Sequence, residues 1–166
     1  MNIRDAEVGD SKAIRQLTIA AYSEHAKLLS ADNWDAYQTS ILAALDSVGD
    51  AEQIVAEQAG VVVGAVLLYA RGAAFAYLES NDNLPEVRLL AVLPSARGEG
   101  IGAALMDECV RRGRMLGCKV LVLHTMEMMR AAKHLYMRMG FVRAPELDFV
   151  PRKDILAEGY RLELDT

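Results

Sequence analysis

The sequence predicts a mixed α/β protein with about seven strands and about four helices, in a single domain over residues 1–166. A chain of 166 residues fits one domain and buries roughly 70% of its unfolded surface on folding. Its composition, 52% hydrophobic and 25% charged, is that of an ordinary globular protein. Strand and helix patterns alternate in the order β-α-α-β-β-β-α-β-α-β-β, without repeats or a linker.

The first half of the chain carries clear start and stop signals. Capping residues precede apolar residues at helical spacing, and a glycine turn separates two apolar runs. The predicted elements are a strand at residues 3–6, a helix capped by Asp10, a helix starting at Ser30–Asn33 and ending at Gly49-Asp50, and a hairpin with its turn at Ala59-Gly60.

The second half alternates strands with glycine-terminated helices. The predicted elements are a strand extension at Phe75–Glu79, a loop at Asn81–Pro85, a strand at Glu86–Leu93, a helix at Gly98–Leu116, a strand at Lys119–His124, a helix at Met128–Met139, and strands at Phe141–Arg143 and Tyr160–Leu164.

Charge and composition argue against several classes of function. A net charge of −5 and a pI near 5.2 argue against nucleic acid as a partner. The apolar run Ala59–Leu78 approaches a membrane-spanning length, but Arg71 and three glycines interrupt it, so two buried strands explain it better. Cys109 and Cys118 lack disulfide or metal spacing, and the N-terminus has no apolar signal core. We therefore expect a cytoplasmic protein that binds no metal and no membrane.

The most informative segment is the glycine-rich stretch after the fourth predicted strand. Three alternate glycines, Gly98, Gly100 and Gly102, are predicted to open a helix whose bare N–H groups a phosphate can approach. Arg97 adds a permanent cation beside them. The pattern predicts a phosphorylated cofactor. A dinucleotide-binding module is a distant alternative, because no acidic residue ends the next strand at His124-Thr125.

Two motifs resemble one known family. The stretch Arg97–Ala103 matches the Arg/Gln-x-x-Gly-x-Gly/Ala signature of the GCN5-related N-acetyltransferase (GNAT) superfamily, and Ala132–Phe141 resembles its Ala-x-x-Leu-Tyr-x-x-x-Gly-Phe motif. The resemblance implies a mixed, mostly antiparallel sheet and an acetyl-CoA-dependent N-acetyltransferase. Such an enzyme moves an acetyl group to a primary amine by direct attack in a ternary complex. A non-catalytic acetyl-CoA-binding regulatory protein is the alternative.

The resemblance also implies the cofactor-binding residues. Backbone N–H groups of the glycine stretch would bind the pyrophosphate, and the preceding strand would pair with the pantetheine arm beside a bulge. The residues so implied are Ala91, Val92, Arg97, Gly98, Gly100, Ile101, Gly102 and Ala103.

Two further residues are candidates for the chemistry. Tyr136 matches the family tyrosine that protonates the leaving thiolate, and a packing role in the core is the alternative. Glu86 stands where some relatives carry a general base, and a solvated carboxylate at the strand end is an equal alternative. Glu79 and Asp82 are rival bases. Together these carboxylates suggest a cationic acceptor, a small molecule or a protein amine.

Other residues are given ordinary roles. His124 is interpreted as a strand-end capping or core residue, and His25 as a surface residue. Lining of the acceptor cleft is an alternative for Ala20, Tyr22, Trp34 and Tyr37, but aromatic residues at helical spacing are more often core, and these are not assigned to a site. Relatives in the family are often dimers, so a homodimer is an expectation from resemblance alone.

Overall fold

The chain, seen in a computed structural model that describes residues 1–71 and 84–165, combines helices with a largely antiparallel sheet. In the described residues the helices are α1 (Ser11–Ser23), α2 (Ala31–Asp46), α3 (Ile101–Met115) and α4 (Arg130–Arg138). The strands there are β1 (Asn2–Asp5), β2 (Glu52–Gln58), β3 (Val61–Tyr69), β4 (Glu86–Val92), β5 (Val120–Thr125), β6 (Val142–Arg143), β7 (Phe149–Arg152) and β8 (Ile155–Glu163). The predicted fold class is confirmed.

The residues cluster into two compact units. The first comprises Met1–Leu68 and Leu89–Cys109, and the second comprises Tyr69–Arg88 and Val110–Thr166. In the first unit the strands lie in the order β1-β2-β3-β4, and β2 is antiparallel to both β1 and β3. The predicted hairpin turn is confirmed, because Ala59 and Gly60 both have positive φ (48° and 79°), as the favoured two-residue hairpin turn requires.

Helix α1 covers the strands of the first unit with one apolar face. Ile14, Leu17 and Ala21 recur at helical spacing and are buried. Burying each large aliphatic side chain contributes about 1.5–3 kcal/mol. The strand residues in the same core cluster are Val55, Val62, Ala65 and Ala91. The core therefore joins α1 to the strand that leads to the glycine stretch.

The two predicted helix caps differ in outcome. Ser30 caps α2 as predicted, since its hydroxyl accepts a hydrogen bond from the N–H of Asn33 at 3.1 Å. Asp10 precedes α1, but its carboxylate accepts instead from the N–H of Glu7 (2.8 Å) and pairs with Arg4 (2.6 Å). The hydrogen bond from Arg4 lowers the pKa of Asp10. Asp10 thus closes the turn before the helix.

The second unit is organised around β8. Strands lie in the order β4-β5-β8-β6, with β4 and β5 parallel and with β5, β6 and β7 antiparallel to β8. Gly159 of β8 lies opposite His124 of β5. A Cβ at Gly159 would come within 2.4 Å of the Cβ of Leu147, so only glycine lets the turn at Pro145–Leu147 approach the sheet. This close approach shapes the surroundings of His124.

The start of one predicted helix and one missed strand need correction, and one predicted segment lies outside the described residues. Helix α3 begins at Ile101 rather than Gly98, so the first two glycines precede it. Strand β7 was not predicted, because it contains Pro151 and is followed by a turn with Asp154 at φ 65°, and both are atypical of a strand. The strand still forms, because proline is tolerated on edge strands. The predicted strand at Phe75–Glu79 and most of the loop at Asn81–Pro85 lie outside the described residues.

Candidate functional site

A short glycine loop joins β4 to α3. Pro94–Ala96 forms one 3₁₀ turn and Arg97 is extended. Gly98 and Gly100 follow with φ of 82° and 78°, a region that L side chains rarely adopt. Here the need for glycine is conformational, and it explains why α3 begins only after the second glycine.

The space in front of this loop is open. A Cβ built on Gly98 or Gly100 meets no other atom within 4 Å. Ala104 donates its N–H to the carbonyl of Gly100 at 3.0 Å, so the N–H groups of the three preceding residues lie ahead of the first helical hydrogen bond. Those residues are Ile101, Gly102 and Ala103. Open space, available donors and a positive helix terminus together suit an anion such as a phosphate.

The absence of a side chain at Gly64 of β3 lets the start of α3 pack close to the sheet. A Cβ at Gly64 would lie 2.8 Å from Cγ2 of Ile101 and 2.9 Å from Cδ1 of Leu105. Both of these side chains are fully buried. The same Cβ would lie 3.3 Å from the carbonyl oxygen of Ala91. The absent side chain at Gly64 therefore fixes the position of the glycine loop relative to β3 and β4.

Arg97 is already engaged with helix α1. Its Nη1 donates to the carboxylate of Glu24, and its Nη2 donates to the carbonyl of Ala21 at 3.2 Å. The negative end of the α1 dipole favours a cation at this place. On the other side of the loop, Nε2 of Gln58 donates to Glu99 at 3.0 Å. The loop is thus held from two sides by side-chain hydrogen bonds.

Strand β4 contains a strained residue near its middle. Leu89 has a φ of 50°, a left-handed conformation that costs a non-glycine residue about 1–2 kcal/mol. Beyond it, the N–H of Leu93 donates to the carbonyl of Val63 in β3 at 2.8 Å. Backbone groups alternate between the two edges of a strand, so Leu90 and Val92 direct theirs away from β3. This irregularity lies in the strand for which the family resemblance implies a bulge.

In the second unit, Glu86 is buried and paired with a histidine. Only 5% of Glu86 is exposed, so the solvated-carboxylate alternative is wrong. Its Oε1 lies 3.0 Å from Nδ1 of His124, whose Nε2 lies 2.8 Å from the carbonyl oxygen of Leu147. Both ring nitrogens of His124 therefore lie within hydrogen-bond distance of an oxygen atom. The ring of Phe149 packs edge-on against His124 at 4.9 Å between centroids.

The partner carbonyl of His124 is itself held by an ion pair. Arg143 donates two hydrogen bonds of 2.6 Å to the carboxylate of Asp148, which also accepts from the N–H of Gly159 at 2.8 Å. The hydrogen bonds from Arg143 lower the pKa of Asp148. Because Leu147 directly precedes Asp148, this ion pair fixes the carbonyl that His124 meets. The interpretation of His124 as an ordinary capping or core residue misses its pairing with Glu86.

Tyr136 lies on the buried face of α4. It is 7% exposed, and its ring packs against Phe141 with centroids 5.9 Å apart. The N–H of Phe141 donates to the carbonyl of Tyr136 at 3.0 Å, which closes the helix end. The rival bases Glu79 and Asp82 lie outside the described residues. Glu86 and Tyr136 belong to the second unit, and the predicted cofactor-binding residues belong to the first.

The remaining predictions concern less specific features. His25 is half-buried rather than on the surface, and burial lowers its pKa. No cluster of three potential metal ligands occurs in residues 1–71 and 84–165. No helix within the same described ranges is long and apolar enough to cross a membrane.

The glycine loop, the strained β4 strand and the buried tyrosine are the features expected of one family. The model of the acetyltransferase (GNAT) family matches residues 12–141, and the chain belongs to this family. No curated protein sequence matches the chain.

Solved structures share the same fold. A GNAT family acetyltransferase from Brucella melitensis in complex with acetyl-CoA is 22% identical, with a TM-score of 0.66 over 99% of this chain and 88% of that one. The ribosomal-protein-S18-alanine N-acetyltransferase from Escherichia coli is 19% identical, with a TM-score of 0.69 over 99% and 94%. A GNAT acetyltransferase from Staphylococcus aureus is 15% identical, with a TM-score of 0.74 over 99% of both chains.

Proposed function

We propose that this chain transfers an acetyl group from acetyl-CoA to a primary amine, as a single GNAT domain over residues 1–166. The observation that carries the proposal is the open glycine loop at the start of α3, with positive φ at Gly98 and Gly100. The N–H groups of Ile101 to Ala103 would bind the pyrophosphate, helped by the helix dipole. The match to the acetyltransferase family supports acetyl-CoA as the ligand.

The pantetheine arm and the acetyl group would lie along the outer edge of β4. Main-chain alternation favours Val92 for pairing with the arm and Leu90 for contact with the acetyl group, because Ala91 directs its backbone groups towards β3. A backbone N–H at this edge suits the oxygen of the thioester, where negative charge develops during transfer. The structure of a Brucella relative in complex with acetyl-CoA supports the assignment of the ligand class.

During the transfer the nitrogen must lose two protons and the CoA thiolate must gain one. An alkyl amine is mainly an ammonium ion near neutral pH, so a base must remove a proton before the nitrogen can attack. We assign this role to Glu86, acting directly or through a water molecule. The nitrogen then bonds to the thioester carbonyl carbon, and collapse of the tetrahedral intermediate breaks the C–S bond. The Tyr136 hydroxyl gives its proton to the departing CoA thiolate, and the second proton lost by the nitrogen restores the hydroxyl. A well-placed acid or base contributes about 10²–10⁴-fold.

The burial of Glu86 supports this assignment. A carboxylate held by His124 has a fixed orientation, and low polarity around it strengthens its attraction for a cationic amine. Peptide N-termini, lysine side chains and polyamine-like molecules share this chemistry. The E. coli neighbour is named for acetylation of an alanine on a ribosomal protein, which makes a protein amine a reasonable first member of the panel.

The test is acetyl-CoA turnover against a panel of amines, with the acetylated product identified by mass spectrometry and CoA affinity measured by calorimetry. We expect CoA binding and amine-dependent release of CoA. Binding without turnover on any amine would favour the regulatory alternative. Absence of CoA binding would refute the proposal, and preferential binding of NAD would favour the dinucleotide-binding alternative.

A further inference from the structure

A tyrosine on α1 contacts the part of β4 that we assign to the acetyl group, and the mechanism above gives this tyrosine no role. The Tyr22 hydroxyl donates to the carbonyl oxygen of Leu90 at 3.2 Å, one residue after the left-handed Leu89. We propose that Tyr22 is a positioning residue that holds the main chain of Leu90 so that its N–H faces the thioester carbonyl. This inference rests on the proposed function.

The direction of the Leu90 N–H follows from strand geometry. The N–H and C=O of one strand residue point to the same edge, so the hydrogen bond from Tyr22 marks the edge to which the Leu90 N–H also points. Leu93 donates its N–H to β3, and it is separated from Leu90 by an odd number of positions, so the two residues direct their backbone groups to opposite edges of the strand. Leu90 therefore faces the edge opposite β3, where we place the acetyl group.

The strain at Leu89 explains why a restraint is needed. A left-handed conformation disfavours a leucine by roughly 5- to 30-fold in population. A neutral hydrogen bond offsets a factor of about 2 to 12. Without the Tyr22 hydroxyl, the peptide between Leu89 and Leu90 is freer to relax towards ordinary strand geometry, which turns the N–H of Leu90 away from the thioester.

The hydroxyl can be removed while the ring contacts stay. The ring of Tyr22 packs edge-on against Tyr37 at 5.8 Å and against His25 at 6.5 Å between centroids. A phenylalanine keeps these ring contacts and removes the hydroxyl that bonds to Leu90. Tyr37→Phe is the matched control, because it removes a hydroxyl from the same aromatic group.

The first test separates catalysis from cofactor binding. We expect Tyr22→Phe to lower kcat by about 10- to 100-fold, since displacing an oxyanion donor by a fraction of an ångström is costly. Affinity for CoA, which lacks the acetyl oxygen, should stay within about twofold. Tyr37→Phe should leave kcat within about twofold. An unchanged kcat in Tyr22→Phe overturns the proposal, as does a parallel loss of kcat and CoA affinity.

A rescue experiment tests the link to strain. Glycine adopts positive φ freely, so Leu89→Gly should make the Tyr22 hydroxyl less necessary. We expect the loss of kcat caused by Tyr22→Phe to be at least about threefold smaller in the Leu89→Gly background. An equal loss in both backgrounds overturns the mechanism through Leu89.

A third measurement needs no acceptor. Amide hydrogen exchange at Leu90, measured in the protein without substrate, should be faster in Tyr22→Phe than in the wild type and in Tyr37→Phe. Unchanged exchange at Leu90 overturns the positioning role even if the wild type acetylates amines. Faster exchange in a protein that acetylates no amine supports the positioning role while the proposed function fails.

Discussion

The glycine loop allows a comparison between two glycines with nearly identical backbones. Gly100 has a φ of 78° and Gly117, which follows α3, has a φ of 76°. An added Cβ meets no other atom within 4 Å at either position. The substitutions Gly100→Ala and Gly117→Ala therefore carry the same conformational cost and no steric clash. They differ in one respect, since only Gly100 lies in the loop that we assign to the pyrophosphate.

The expected stability change is the same for both variants. A left-handed alanine costs about 1–2 kcal/mol, and the stiffer unfolded chain recovers about 0.4–1 kcal/mol of this. A net loss of about 1 kcal/mol in the free energy of unfolding lowers the Tm by about 2–4 °C for a chain of this length. Urea denaturation and thermal melting check this part.

The expected change in cofactor affinity differs sharply. A methyl group on Gly100 occupies space that a phosphate needs and separates it from one or two backbone donors. Each hydrogen bond to a charged group is worth about 1.5–3 kcal/mol, which corresponds to a Kd for CoA about 10- to 100-fold higher. Gly117→Ala should leave the Kd within about twofold. Equal CoA affinities for the two variants, by calorimetry, would refute the assignment of the loop to the pyrophosphate.

Three other substitutions or conditions have expected outcomes. Tyr136→Phe should lower kcat by about 10²-fold with CoA affinity unchanged, and an equal kcat would make the tyrosine a packing residue. Glu24→Gln frees Arg97 from its carboxylate and should tighten CoA binding about 2- to 5-fold at low salt; weaker binding would mean that Glu24 orients the arginine. Because Arg143 lowers the pKa of Asp148, this ion pair contributes its full stability above about pH 4, the ordinary pKa of a carboxyl group. That contribution is lost as the pH falls through the lowered pKa that Asp148 has in the folded protein. Asp148→Asn should therefore make the free energy of unfolding fall less steeply as the pH is lowered into the acid range. An unchanged pH dependence would contradict this.

Local signals in the sequence predicted much of the fold. The hairpin turn at Ala59-Gly60, the Ser30 cap and the glycines that end α3 and α4 act within one turn of chain, and all are present. Such signals depend on main-chain conformations and near-neighbour hydrogen bonds, so they are readable without knowledge of the tertiary structure. The same holds for the glycine loop, although its first two glycines precede the helix rather than lie within it.

Contacts between distant residues were beyond the reach of sequence patterns. Glu86 and His124 are 38 residues apart in the sequence, and no periodicity relates the start of one strand to the end of another. Tyr22 and Leu90 are 68 residues apart, and the tyrosine stands at a helical spacing that fits an ordinary core residue. In both cases the polar group is the informative part of the side chain, whereas the periodic pattern reports only its apolar part.

The strained leucine in β4 connects these observations. A leucine that serves only to pack a strand gains nothing from a left-handed φ, and substitution or relaxation would remove the strain. Its position directly before Leu90, whose carbonyl accepts from the Tyr22 hydroxyl, suits the role that we propose: the strain would turn one peptide out of the regular ladder so that its N–H faces the thioester. If the strain is part of the site, Leu89→Gly should raise stability or leave it unchanged and should lower kcat less than Tyr22→Phe does, because glycine adopts the positive φ without strain. A larger loss of kcat than in Tyr22→Phe would show that the site needs the leucine side chain rather than the left-handed conformation.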